Sequence, residues 1–485
     1  MRQDFVLVCD LGGTSLRVAL VDTDGLISAL YRMPLESGCE ADPDGWWDAF
    51  CDAADTLMQT SPDSFAQVRA IAISAFTRSQ VFLDTAGKSL RPAILWADTR
   101  ASVQAQMLSD RCPSNHPEAA ALNAYHPLAR LCWLQQEEAE VFDRLEKIVE
   151  PKDYLNFRLT GRLAGDYVSM ARLVASAEGD QHSLFAMVGL DPDLIPKLLE
   201  PTEVVGTVLP KLRGALGLLA GSPVMAMAND SWASVVGLGA MRPDMAYNIS
   251  GTTEVLGVLS RVRATAEGLL TVRWGPDLVQ IGGPSQTGAD ALAWLLGGVL
   301  GEENLESLLK QPRTAEALLF LPYLQGERVP YWDPSLRGAF VGLNRRHRAV
   351  DMAWAVMEGV AFQNRIVLER AEAALGRPVA EIRYGGGGAA CEAWRQVKAD
   401  ILNRPVVTTA ADEPGLIGAA ILAWTGLGRY PDLGSAQAAL APALRRYEPD
   451  PSRVDHYTRL YCLFREAEQA LAPISRALAG QGDRE

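Results

Sequence analysis

Histidine and cysteine are scarce, five and seven among 485 residues, and no Cys-x-x-Cys pair occurs. A disulfide framework or a structural zinc site needs such residues in number and at regular spacing, so neither is expected. The thiols read as buried and reduced, those of a cytoplasmic protein. Basic residues are also in deficit, 45 Lys and Arg against 59 Asp and Glu, for a formal net charge of −14. Surfaces that hold nucleic acid or anionic lipid are basic, so neither partner is expected. Long hydrophobic runs are missing as well. The stretch from Pro414 to Trp424 is too short and too broken by glycine to span a bilayer. The chain runs directly into the strand-like Phe5-Val-Leu-Val-Cys9, without a charged and then apolar leader, so no signal peptide is expected. What is present is globular in character, 48% hydrophobic and 21% charged. A chain of this length exceeds one ordinary core, so two or more domains are expected.

Two turns organise the chain. Phe5 to Asp10 reads as a strand, Gly12-Gly-Thr-Ser15 as a turn, and Leu16 to Asp22 as the return strand. After Met241-Arg-Pro-Asp244 the pattern starts again, with Ala246 to Ser250, then Gly251-Thr-Thr253, then Val255 to Leu259. Between them, Trp46 to Met58 has helical periodicity, with Trp46 and Trp47 on its core face. Ala70 to Ser74 and Val81 to Asp84 read as strands. Strand clusters followed by helices in both halves predict two α/β domains with a cleft between them. The predicted division is 1–244, 245–431 and a C-terminal helical extension over 432–485.

Glycine turns let backbone N–H groups face phosphate oxygens without side-chain clashes, and Thr and Ser add hydroxyl donors. Asp10 ends a strand beside such a turn, a natural place for a carboxylate acting on Mg²⁺ directly or through water. Arg17, on the return strand, could stabilise charge on phosphates. Each piece alone has a plainer reading. Gly-Gly-Thr is usually just a hairpin, Ser250-Gly-Thr-Thr253 a plain turn, and Gly385–Gly388 a loop. Asp230, before a helix, is more often an N-cap. The conjunction in this order is what points to ATP-dependent transfer of a phosphoryl group.

That conjunction resembles the FGGY carbohydrate kinase family of the actin-like ATPase superfamily, xylulokinase-like in overall pattern. Asp10-Leu-Gly-Gly-Thr-Ser-Leu-Arg17 is similar to its first phosphate motif. Tyr125-His-Pro-Leu-Ala-Arg-Leu-Cys-Trp133 resembles one signature, with Arg130 where Lys is usual. Gly338-Ala-Phe-Val-Gly-Leu343 with Asp351–Glu358 resembles the other. Pro322–Arg328, Tyr331–Pro334 and Gly385–Ala389 are also family-like. The resemblance implies two actin-like, ribonuclease H-like domains with the nucleotide and sugar between them. It implies Asp230 as the base taking a proton from the acceptor hydroxyl, and Asp10 as the organiser of Mg²⁺. A carboxylate at its ordinary pKa would be a weak base, deprotonating the acceptor late. The resemblance further implies ATP contacts from Gly12, Gly13, Thr14, Ser15, Arg17, Gly251, Thr252, Thr253, Gly283, Gly386, Gly387 and Ala389.

On the acceptor side, Trp96, Asp98 and Tyr125 resemble family substrate residues. Ser231 follows Asp230 where Asn or Gln is usual. Arg78, in Ser74-Ala-Phe-Thr-Arg-Ser-Gln80, sits in a substrate loop that matches neither the glycerol kinase nor the xylulokinase pattern. Glu254 stands where a small or apolar residue is common. The expected activity is transfer of the γ-phosphoryl group of ATP to a ketose or polyol, a pentulose such as xylulose first. Glycerol, erythritol or gluconate are alternative acceptors, and an inactive nucleotide-binding sugar sensor is a further alternative. A homodimer is among the assemblies the resemblance allows.

Overall fold

The computed structural model describes residues 3–36, 38–114, 116–179, 183–275, 277–301, 304–409 and 413–480. The chain forms two α/β units. The first comprises Met1–Gly237 and Ala411–Ala441, the second Leu238–Ala410 and Pro442–Glu485. This differs from the three-part division expected from sequence. The chain returns to the first unit near residue 411, and the C-terminal segment divides between the two.

The first unit is built on a six-stranded sheet ordered Val204–Thr207, Pro223–Met225, Val68–Ala75, Phe5–Leu11, Ser15–Asp22, Ile27–Pro34. Phe5–Leu11 is buried along its whole length, as a central strand covered on both faces must be. It pairs antiparallel with Ser15–Asp22 and parallel with Val68–Ala75. Ile27–Pro34 lies at the edge and alternates half-buried with exposed residues. The helix Pro43–Thr60 starts at an Asp42 cap with Pro43 in its first turn and buries Trp46, Trp47, Phe50 and Leu57. Both tryptophans are core residues, as their place on the predicted helix face implied.

The second unit repeats the plan. Its seven-stranded sheet is ordered Leu270–Gly275, Leu278–Pro284, Glu254–Ser260, Ala246–Ser250, Ile382–Gly385, Val406–Thr409, Ala443–Tyr447. Here too an antiparallel hairpin, Ala246–Ser250 with Glu254–Ser260, is extended by parallel pairing of its first strand with Ile382–Gly385. The last strand, Ala443–Tyr447, corrects the expectation that everything beyond 432 is helical. The strand lies between the helices Leu433–Leu440 and Pro451–Ala479 and pairs antiparallel with Val406–Thr409. Among the described residues, no helix is long and apolar enough to cross a membrane.

Two helices of the first unit meet with almost no side chain between them. Asp230–Gly237 packs against Pro414–Gly426, and the crossing is made by glycine. A β-carbon on Gly237 would strike the Pro414 carbonyl, and one on Gly418 would strike the Ala233 carbonyl. Backbone cannot yield as a flexible side chain can, so Gly418→Val is expected to cost more than the ~1–3 kcal/mol usual for overpacking. The thermal midpoint should fall by about 2–4 °C per kcal/mol, readable by calorimetry.

Candidate active site

In the first unit, the turn after Phe5–Leu11 is closed by the Gly12 N–H donating to the Ser15 carbonyl at 2.9 Å. Gly12 and Gly13 are half-buried and Thr14 is exposed. Asp10, two residues before Gly12, is only 2% exposed. Its Oδ2 receives the Arg17 guanidinium at 2.5 Å, across the same hairpin. The Ser74 hydroxyl donates to its Oδ1 at 3.4 Å. Arg17 also pairs with Glu413 at 2.9 Å, and Arg32 pairs with the other oxygen of Glu413. Asp10 and Glu413 thus share two guanidiniums in direct ion pairs, and Asp230 feels Arg17 only through space. Arg17 is committed to Asp10 and Glu413, which makes it a brace for the turn.

Asp230 opens the helix Asp230–Gly237, but it is not the cap. Asn229 is: its Oδ1 accepts the Trp232 N–H at 3.0 Å. The plain reading of Asp230 as an N-cap therefore belongs to its neighbour. Its carboxylate hydrogen-bonds with the following residue, accepting the Ser231 N–H at 2.6 Å and the Ser231 hydroxyl at 3.3 Å. Loss of solvation, and secondly the charge of Asp10, push its pKa up to about 7. This corrects the expectation of an ordinary, weakly basic carboxylate. A group titrating near neutrality is a far better proton acceptor at pH 7.

The loops expected on the acceptor side converge on one buried arginine. Arg130 is fully buried and donates to the carbonyls of Arg78, Leu95 (2.8 Å) and Asp98 (3.0 Å). Arg78 itself has a positive φ of 59°. Asp98 is held by Arg100, whose Nη2 lies 2.7 Å from Oδ2, so this carboxylate braces its loop. Trp96 is 51% exposed, and its indole nitrogen lies 3.0 Å from where a β-carbon on Gly13 would sit. Trp96 therefore adjoins the first glycine turn. Tyr125 is 38% exposed and Ser231 is also exposed.

In the second unit, the turn Gly251-Thr-Thr253 is closed by Gly251 N–H to Thr253 carbonyl at 3.0 Å, with Thr252 exposed. Gly288 packs against this turn, and Ala289 N–H donates to the Gly251 carbonyl at 2.8 Å. Gly386 and Gly387 are exposed, Ala389 is buried, and Gly386 needs its φ of 87°. A side chain at Gly386 or Gly388 would collide with Ser250, so the two turns lie against each other. Gly283 is elsewhere. It is buried within Leu278–Pro284 with a φ of 149°, and a β-carbon there would come within 2.8 Å of Val329. Its lack of a side chain has a packing cause.

Sequence reading missed Glu413 and Gly415. A β-carbon on Gly415 would come within 2.7 Å of Asp10 Oδ2, so glycine lets the start of Pro414–Gly426 approach that carboxylate. The only local hint was an acidic residue ahead of a Pro-Gly helix start.

Among the described residues no group of three or more His, Cys, Asp or Glu could hold a metal by itself. Mg²⁺ commonly sits on one or two carboxylates plus substrate phosphates. The surplus of carboxylate over guanidinium around Asp10 fits an ion that arrives with its nucleotide.

Comparison with known proteins gives the family of the chain. The model of the FGGY family of carbohydrate kinases matches with its N-terminal domain over residues 5–237 and its C-terminal domain over residues 246–427. The xylulose kinase of Escherichia coli strain K12 is 31% identical, over 96% of this chain and 99% of its own. The gluconokinase of Bacillus licheniformis is 27% identical, over 96% of each. The crystal structure of ligand-bound xylulose kinase from Lactobacillus acidophilus superposes with a TM-score of 0.86 at 26% identity, covering 97% of this chain and 98% of that one. The chain belongs to the FGGY family of carbohydrate kinases.

Proposed function

We propose that this kinase transfers the γ-phosphoryl group of Mg-ATP to a hydroxyl of a pentulose, with xylulose the first candidate. The observation that carries the roles is Asp230, a carboxylate freed from capping duty and titrating near neutrality beside Asp10. Asp230 takes the proton of the acceptor hydroxyl as its oxygen attacks phosphorus. Asp10 would hold Mg²⁺, whose charge, when bound, offsets that of the phosphates. The backbone of Gly12–Ser15 donates to phosphate oxygens in the first unit. Gly251–Thr253 and Gly386–Ala389 do so on the nucleotide side, in the second. Trp96 offers an apolar face to the sugar, and Arg130 holds the loops that carry Arg78, Trp96 and Asp98.

The pentulose reading draws on the xylulose kinase relatives. A sugar acid such as gluconate is the second reading. The gluconokinase relative favours it, and Arg78 is a cation in the loop read as sugar-facing. Coupled ADP release over xylulose, other ketoses, polyols and gluconate separates them. The expected result is one dominant acceptor, xylulose, with Arg78→Met changing its KM by less than about tenfold. Preference for gluconate, lost by a factor of about 100 or more in Arg78→Met, would overturn the pentulose reading. Charge-assisted contacts of ~1.5–3 kcal/mol set that scale.

A further inference from the structure

Glu254 immediately follows the second turn, and the roles above give it no task. It is 1% exposed, an unusual setting for a carboxylate. Its partner is Lys398, from the helix Glu392–Leu402, also 1% exposed, with Nζ 2.9 Å from Glu254 Oε2. Lys398 also donates to Asn248 Oδ1 and, at 2.7 Å, to Asn364 Oδ1, and it lies 4.7 Å from the Tyr384 ring centroid. The carboxylate in turn accepts from Asn248 Nδ2 and from the Ser250 hydroxyl. The backbone of Glu254 is tied at both ends to Ser285, N–H to Oγ at 3.2 Å and carbonyl from N–H at 2.9 Å. One ion pair therefore links both strands of the second hairpin, two helices and Tyr384, ahead of the Gly385–Ala389 turn.

Burying such a pair is rarely the cheapest way to stabilise a core, since well-packed apolar residues do as well or better. What it supplies is orientation: Ser250 and Asn248 are fixed by a charge rather than by neutral contacts. The sign of the charge also matters. A bare carboxylate one residue from a phosphate turn repels polyphosphate, and in a desolvated setting that repulsion is poorly screened. We propose that Glu254 and Lys398 act as one positioning pair for a nucleoside polyphosphate. Glu254 locks the Ser250–Thr253 turn, and Lys398 cancels at close range the charge that would drive phosphates away. This rests on reading that turn as the nucleotide side. Neither residue touches the reacting atoms.

Calorimetric titration of ADP and of adenosine into four proteins tests it: wild type, Glu254→Gln, Lys398→Met and the double variant. Lys398→Met should weaken ADP at least tenfold and leave adenosine within twofold, with the KM for sugar unchanged. Glu254→Gln should weaken ADP about threefold. The double variant should recover to within threefold of wild type, because no bare charge remains. Additive losses in the double variant, equal losses for ADP and adenosine, or a lower melting temperature with intact ADP affinity would each overturn the pair. Should Lys398→Met fail to fold, the near-isosteric Glu254→Gln decides alone, by the same split between ADP and adenosine. Thr252→Val serves as the separate check: unchanged ADP affinity there would sink the reading of the turn itself, whatever the pair does.

Discussion

Replacing Asp230 with asparagine is expected to lower kcat by about 10²–10⁴-fold while leaving ADP affinity within twofold. Asn keeps the shape and the contact to Ser231 but cannot take a proton. Retention of more than about a hundredth of wild-type turnover would exclude Asp230 as the essential base. The pH profile supplies a second signature. The base works only when ionised, and its pKa is pushed up to about 7. The kcat/KM of wild type should therefore fall as pH drops through about 7, about tenfold for each further unit. Stability runs the other way. A raised carboxylate pKa means that the folded protein holds this proton more tightly than the unfolded chain does. Asp230 is thus neutral in effect below about pH 4, increasingly destabilising between about 4 and 7, and at its full cost above that. Asp230→Asn should melt higher than wild type at pH 8 and level with it at pH 4. Differential scanning calorimetry at the two values decides, and needs no substrate.

The second large effect is expected at Asp10. Asp10→Asn should lower kcat/KM by about 100-fold or more, since removing charge stabilisation at such a site typically costs ~3–4 kcal/mol. It leaves Arg17 paired with Glu413. Asp10 is also one of the causes of the raised pKa of Asp230. Removing its charge should shift the acid limb of the residual pH profile to lower pH. A variant that loses activity without that shift would uncouple the two carboxylates, and one that keeps activity would leave Asp10 with a packing role. Steady-state kinetics from pH 5 to 9 on a purified variant gives both numbers.

Much of this was legible in the sequence, for a physical reason. Both hairpins announce themselves because a central strand is largely apolar and a tight turn needs glycine, so Phe5–Leu11 with Gly12-Gly13, and Ala246–Ser250 with Gly251, leave local marks. Asp230 stood out by its place ahead of a helix. Other features are not local. Glu413 reaches Arg17 across nearly the whole chain, and no periodicity links them. Glu254 looked anomalous because its neutralising partner, Lys398, lies on a distant helix. Ala443–Tyr447 was read as helix from an Ala-rich neighbourhood, yet most of it is exposed edge strand, whose alternation is invisible when only one residue is buried. The basicity of Asp230 also needs three dimensions, since burial and a second carboxylate set it.

The late return of the chain to the first unit bears on how the protein is made. Pro414–Gly426 packs on Phe5–Leu11, and Glu413 closes the ion pairs around Asp10. The second unit likewise waits for Ala443–Tyr447 to complete its sheet. A nascent chain of the first four hundred residues would have neither core closed. At ~5–20 residues per second, the part of the first unit that ends at Gly237 waits about 10–40 seconds for Ala441 to be made. Shielding by the ribosome or a chaperone over that interval should matter more here than for two domains strung in simple succession.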